Sequence, residues 1–100
     1  MTVLRWTEQA IEDLEATRDY VARDSEHYAM LLVERLLASV DHIVPFPEIG
    51  RIVPEYGRPD LRELIVGAYR VVYRLKNGYA EVLTVCHGAR LFPAGVDPAL

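Results

Sequence analysis

The chain predicts an α+β domain, on three observations. Two helical patterns with a very short connection occupy the first half, three strand-like runs occupy the second, and a loop rich in proline and glycine separates them. The layout that follows is an N-terminal short strand and αα-hairpin packed on a C-terminal antiparallel β-meander, in a single domain over residues 1–100. With 51% hydrophobic and 26% charged residues, the composition is that of a globular chain and not a disordered one.

Val3-Leu4-Arg5-Trp6 reads as a short strand. Thr7 is a good N-cap, and Glu8 and Glu12 follow it where a helix dipole favours acids, so the first helix runs from 8 to about 23. Ala10, Leu14 and Val21 form its narrow apolar stripe. Asp24-Ser25 breaks the pattern and caps a second helix over 26 to about 44, which Pro45-Phe46-Pro47 ends. Its apolar set is broad, with Tyr28, Leu31, Leu32, Leu36, Val40 and Ile43 extended round the cylinder by Ala29, Val33 and Leu37. A helix this apolar must cover more than one neighbour or also face a partner.

Leu61–Val66 is the first strand of the meander. In the second, Tyr69, Val71, Tyr73 and Leu75 alternate with Arg70, Val72 and Arg74, which puts the first set on the helix side and the arginines on the open face. Asn77-Gly78 is a strong hairpin signal leading into Tyr79–His87, and Gly67-Ala68 turns the first pair.

Charge is unevenly spread. Residues 1–50 hold ten acids and four bases; residues 51–100 hold five acids and seven bases, for a net charge of −4 overall. Nucleic-acid affinity comes largely from lysine and arginine neutralising phosphates, and the one lysine here is Lys76. That balance weighs against nucleic acid as the main target. The lone Cys86 sits in a strand and reads as a core thiol, fitting a reduced, cytoplasmic compartment. The longest apolar stretch is broken by Glu34, Arg35, Asp41 and His42, so no membrane span is expected. His27 and His42 lack metal-ligand spacing, and neither a metal nor a cofactor is expected.

Several motifs stand in a distinctive order: Trp6-Thr7-Glu8-Gln9-Ala10 with Asp13-Leu14, then Phe46-Pro47 with Gly50-Arg51, then Arg62-Glu63-Leu64, Tyr69-Arg70-Val71-Val72-Tyr73 and Val85-Cys86-His87-Gly88-Ala89-Arg90. In this order and spacing the chain resembles the RelE/ParE superfamily of small bacterial toxins. The resemblance implies a toxin neutralised by a cognate antitoxin, a small DNA-binding protein. It also implies one of two activities on the same fold: ribosome-dependent cleavage of mRNA, as in RelE-like members, or inhibition of DNA gyrase without cutting chemistry, as in ParE-like members.

RNA cleavage by 2′-hydroxyl attack needs a base, cations for the phosphorane charge and an acid for the leaving oxygen. By the resemblance, Arg70 matches the central-strand arginine, Arg62 a basic position on the preceding strand, and Glu55 the acidic base of some ribonuclease members. Leu64 stands where a second base belongs, however, and Ala89 where the catalytic histidine belongs; His87 lies earlier on the strand. The reading that follows is ParE-like, with no catalytic residue. Arg62, Arg70, Arg74 and Arg90 contact the target, and Leu37, Val33 and Leu36 on the second helix bind the antitoxin. The ribonuclease alternative uses Glu55, Arg62, Arg70, His87 and Arg90. Arg62 and Glu63 also read more simply as cross-strand ion-pair partners, and Arg70 and Arg74 as solvation of the open face.

Overall fold

The computed structural model describes residues 2–88; Ala89 and Arg90 lie outside the described residues. The order is β1 (Val3–Trp6), α1 (Glu8–Ala22), α2 (Glu26–Asp41), β2 (Arg51–Ile52), β3 (Leu61–Val66), β4 (Tyr69–Lys76) and β5 (Tyr79–His87). Thr7 caps α1, its hydroxyl accepting from the Ala10 amide at 3.0 Å, and Ser25 caps α2 in the same way from Tyr28 at 3.0 Å. α2 stops at Asp41, three residues short of the expected end. Continuing it would require amide donors at Pro45 and Pro47, which have none, so the chain leaves through turns instead.

Among the described residues the sheet has five strands in the order β1-β5-β4-β3-β2. The expected antiparallel meander is its centre, turned at Gly67 (φ 59°) and Gly78 (φ 80°), both in the left-handed region that glycine adopts without steric penalty. The sheet is mixed, however, because β1 adds to β5 in parallel, with Val3 opposite Tyr79 and Trp6 opposite Val82. β2 adds antiparallel to the other edge, placing Arg51 opposite Glu63 and Ile52 opposite Arg62.

The helical hairpin covers one face. Leu32, Leu36, Val40 and Ile43 of α2 and its following turn, with Ala10 of α1, share a core with Val71, Tyr73, Val66, Val82 and Val85; Tyr69 and Leu75 pack against it. Val71, Tyr73 and Leu75 therefore face the helices as the alternation predicts. The other face is not the open one expected. Val53, Leu61, Val72 and Leu83 form a second, smaller cluster there. Arg70 and Arg74 flank Val72 on that face and are only 5% and 7% exposed. Arg74 is ion-paired to Glu81 at 2.7 Å, so it is a buried group held by a counter-ion and not a solvated side chain.

Two polar devices join the layers. The β4–β5 register shifts between Val72 and Tyr73, leaving Leu83 as the extra residue of a bulge. α1 serves the bulge: the Thr7 hydroxyl donates to the carbonyls of Val82 (3.0 Å) and Leu83 (3.2 Å), and the Asp13 carboxylate accepts from the Thr84 hydroxyl. At the other end, the buried Tyr73 hydroxyl accepts from the Gly50 amide at 2.9 Å and donates to the Pro47 carbonyl at 2.7 Å. A Cβ at Gly50 would lie 2.7 Å from the Glu63 carbonyl oxygen and 2.8 Å from the Tyr73 ring, so only glycine lets the loop approach this closely.

Tyr73→Phe leaves that buried amide and carbonyl without their partner and should destabilise by about 1–3 kcal/mol. Val71→Ala, a large-to-small change in the main core, should cost about the same. Both are read from denaturant melts. A Tyr73→Phe change below about 0.5 kcal/mol would mean the loop is not pinned by this hydroxyl.

Candidate functional site

Glu63 is the fixed point. It lies on β3 on the face shared with Leu61 and is fully buried. Its Oε2 accepts from Arg51 Nε at 2.5 Å, and its Oε1 accepts from Arg70 Nε at 2.8 Å and Nη2 at 2.5 Å. Arg70 holds a second carboxylate on its outer edge, with Nη1 donating to Glu55 Oε2 at 2.7 Å and Nη2 to Glu55 Oε1 at 2.9 Å. Glu55 is delivered by a turn in which the Val53 carbonyl accepts from the amides of Tyr56 and Gly57, with Gly57 at φ 62°. Arg51, Glu63, Arg70 and Glu55 thus form an alternating chain across β2, β3, β4 and the loop, with formal charges that cancel.

The electrostatics follow from that chain. The Arg70 guanidinium, hydrogen-bonded to Glu55, holds the Glu55 carboxyl below its ordinary value of 4.5 against the opposing pull of partial burial. In return Glu55, then Glu63, pushes the Arg70 pKa further up. Burial raises the Cys86 thiol, but Cys86 is half-buried opposite Arg70 and belongs to neither apolar cluster, so it is not the core thiol expected.

A cavity of about 630 Å³ opens beside the chain, lined among others by Arg51, Glu55, Ile65, Tyr69, Arg70 and His87. Tyr69 and His87, cross-strand partners, meet edge to face with centroids 5.6 Å apart. Glu55, Arg70 and His87 all border that cavity, but His87 stands with Tyr69 on the helix side of the sheet while Arg70 points to the loop side. Arg62 does not join them. It lies opposite Tyr73 and Ile52, on the helix side, where it donates to the carbonyls of Pro59 (2.9 Å) and Gly50 (3.2 Å). Adjacent strand residues point to opposite faces, so Arg62 and Glu63 do not act together: Glu63 is a cross-strand ion-pair partner, of Arg51 and Arg70, and no single surface of Arg62, Arg70 and Arg74 exists. Arg51 and Glu63 are not among the expected site residues, and Glu63 reads from sequence only as a surface ion-pair partner. The available signal is an acid on the strand face it shares with Leu61 and Ile65, a position that demands a cation once that face is covered.

Residues 4–92 match the family model of the ParE toxin of the type II toxin–antitoxin system parDE. The chain belongs to the ParE toxin family. It is also 34% identical over 92 residues to Toxin RelE2 of Caulobacter vibrioides, covering 91% of this chain and 100% of that one. The fold matches a solved chromosomal ParDE toxin–antitoxin system from P. aeruginosa with a TM-score of 0.73 at 24% identity, covering 87% of this chain and 96% of that one. It also matches a free-state arginine-to-alanine mutant of E. coli toxin RelE with a TM-score of 0.66 at 17% identity, covering 88% and 84%. This ParE-family chain is thus a toxin of the RelE/ParE superfamily, with likenesses to both branches.

The helix surface expected to meet the antitoxin needs one correction. Leu36 is 0% exposed and belongs to the core, because it sits on the stripe shared by Leu32 and Val40. Leu37, 42% exposed, and the half-buried Val33 lie on the outer flank with exposed Met30.

Removing Glu63 leaves Arg70 and Arg51 facing one carboxylate fewer, with Arg70 buried. Glu63→Ala should destabilise this toxin by about 3–5 kcal/mol. Arg51→Ala removes a largely exposed partner and leaves the Glu63–Arg70 pair intact, so about 1 kcal/mol or less is expected. Equal losses in urea melts would show that Glu63 is not the organising charge.

Proposed function

We propose that this ParE-family toxin acts by binding and inhibiting DNA gyrase, without cutting RNA, and that a cognate antitoxin masks it. The observation that carries this reading is the saturated state of Arg70. Its guanidinium already holds Glu55 and Glu63, so a phosphate would have to compete for it. Glu55 is likewise a poor candidate base. General-base catalysis is most effective when the pKa lies near the working pH, and the Arg70 pair moves Glu55 away from it. Arg62, the other cation a cutting site would draw on, is on the far side of the sheet. The antitoxin would lay an apolar helix face along Met30, Val33 and Leu37.

A RelE-like, ribosome-dependent mRNA endonuclease is the second reading. That Glu55, Arg70 and His87 border one cavity favours it, as does the likeness to a toxin named RelE2.

The purified toxin should inhibit gyrase supercoiling and leave mRNA on programmed ribosomes intact. Codon-positioned cleavage by the wild type, lost by about 10²-fold or more in Glu55→Gln or His87→Gln while supercoiling is unaffected, would replace the first reading with the second. For the masking partner, Leu37→Glu should abolish capture of the antitoxin from the same operon; undiminished capture would move the interface elsewhere.

A further inference from the structure

We infer that Glu55 is a displaceable occupant of an oxyanion site on Arg70, and that the ligand which replaces it is a carboxylate presented by a protein partner. The inference rests on the toxin reading only for the source of that carboxylate.

The two acids on Arg70 are not equivalent. Glu63 projects from a central strand, is fully buried and has one oxygen on Arg51 and the other on Arg70, so moving it would break both contacts at once. Glu55 comes from a turn, its side chain is 32% exposed, and both its oxygens rest on the outer edge of Arg70. That edge is the Nη1/Nη2 pair, a fork that suits a planar two-oxygen ligand. The cavity opens beside it, so an incoming ligand has a way in without any movement of the strands.

Charge and shape select the ligand. With Glu55 swung away, Arg51, Arg70 and Glu63 leave a formal charge of +1, which one monoanion cancels. The cavity beside the fork is bordered by Ile65, the Gly67-Ala68 turn and Gly88, which leave room for a short acid. A carboxylate reproduces the Glu55 contacts atom for atom. A phosphodiester carries the same charge but brings a polyanion toward a protein of net charge −4, which weighs against it. An acidic side chain of a protein partner is the ligand these features fit, and Glu55 keeps Arg70 compensated until that partner arrives.

The test follows the Arg70 side-chain Nε–H resonance of the full chain while sodium acetate is titrated at constant ionic strength. Dimethyl phosphate serves as the phosphodiester probe. An occupant that fills the site more than nine-tenths of the time weakens apparent affinity about tenfold or more. Acetate should therefore shift the resonance saturably in Glu55→Ala, with an apparent Kd at least about tenfold tighter than in wild type, and dimethyl phosphate should bind more weakly. Glu55→Gln keeps the side-chain volume and should move in the same direction; it decides the matter if the alanine variant does not fold. Equal acetate affinity with and without Glu55, or no saturable shift in a folded variant, overturns the site. Tighter binding of dimethyl phosphate than of acetate overturns the protein partner. The titration contains neither gyrase nor ribosome, so its failure leaves the target assays to be judged separately.

Discussion

A carboxylate buried in the middle of a sheet has to be neutralised where it stands, and Glu63 sets that constraint here. Leaving it unpaired would cost several kcal/mol, so cations must reach it from both neighbouring strands. Arg51 arrives on β2, which gives a two-residue edge strand a reason to pair where it does. Arg70 arrives on β4, and its outer edge then recruits Glu55 from the loop. That last contact helps draw residues 53–57 against the sheet, where Val53 completes the second apolar cluster with Leu61, Val72 and Leu83. Replacing such a chain by apolar residues would often be neutral or stabilising, so the ion chain organises these elements without being a large net source of stability.

The sheet thereby acquires two unlike faces. The helix side is a conventional core with one buried hydroxyl, Tyr73, tying down the loop before β2. The loop side carries a self-neutralised ion chain beside a cavity. A toxin built this way presents no open cluster of cations among its described residues on that face. This supports the protein-binding reading proposed above over one that grips a phosphate backbone. The acidic helices point the same way, since residues 1–50 carry ten acids against four bases.

Much of this fold is legible in local pattern. Thr7 and Ser25 cap the helices they mark, Asn77-Gly78 makes the hairpin, and the alternation along β4 puts Val71 and Tyr73 on the helix side. What local pattern does not carry is pairing at long range. The parallel union of β1 with β5, the use of Arg51-Ile52 as an edge strand and the bulge at Leu83 all depend on partners distant in the chain. The site is legible only in part for the same reason. Glu55 and Arg70 are brought together, with His87 at the border of the same cavity, while Arg62 is turned away by strand alternation and Arg74 is committed to Glu81. An arginine on a strand reads as a surface cation until the acid that buries it is located, and those acids come from another strand and a loop.

Arg70 is compensated by Glu55 in the free toxin, and a carboxyl-carbon NMR titration of Glu55 reads that pairing without intermediaries. A carboxyl whose pKa is depressed by folding contributes stability above its unfolded value, and that contribution is lost as the pH falls through the folded value. The Glu55 midpoint should lie clearly below the ordinary 4.5, with stability falling as the pH drops through that midpoint. A midpoint at or above 4.5 would contradict it, because Glu55 would then not be held by Arg70.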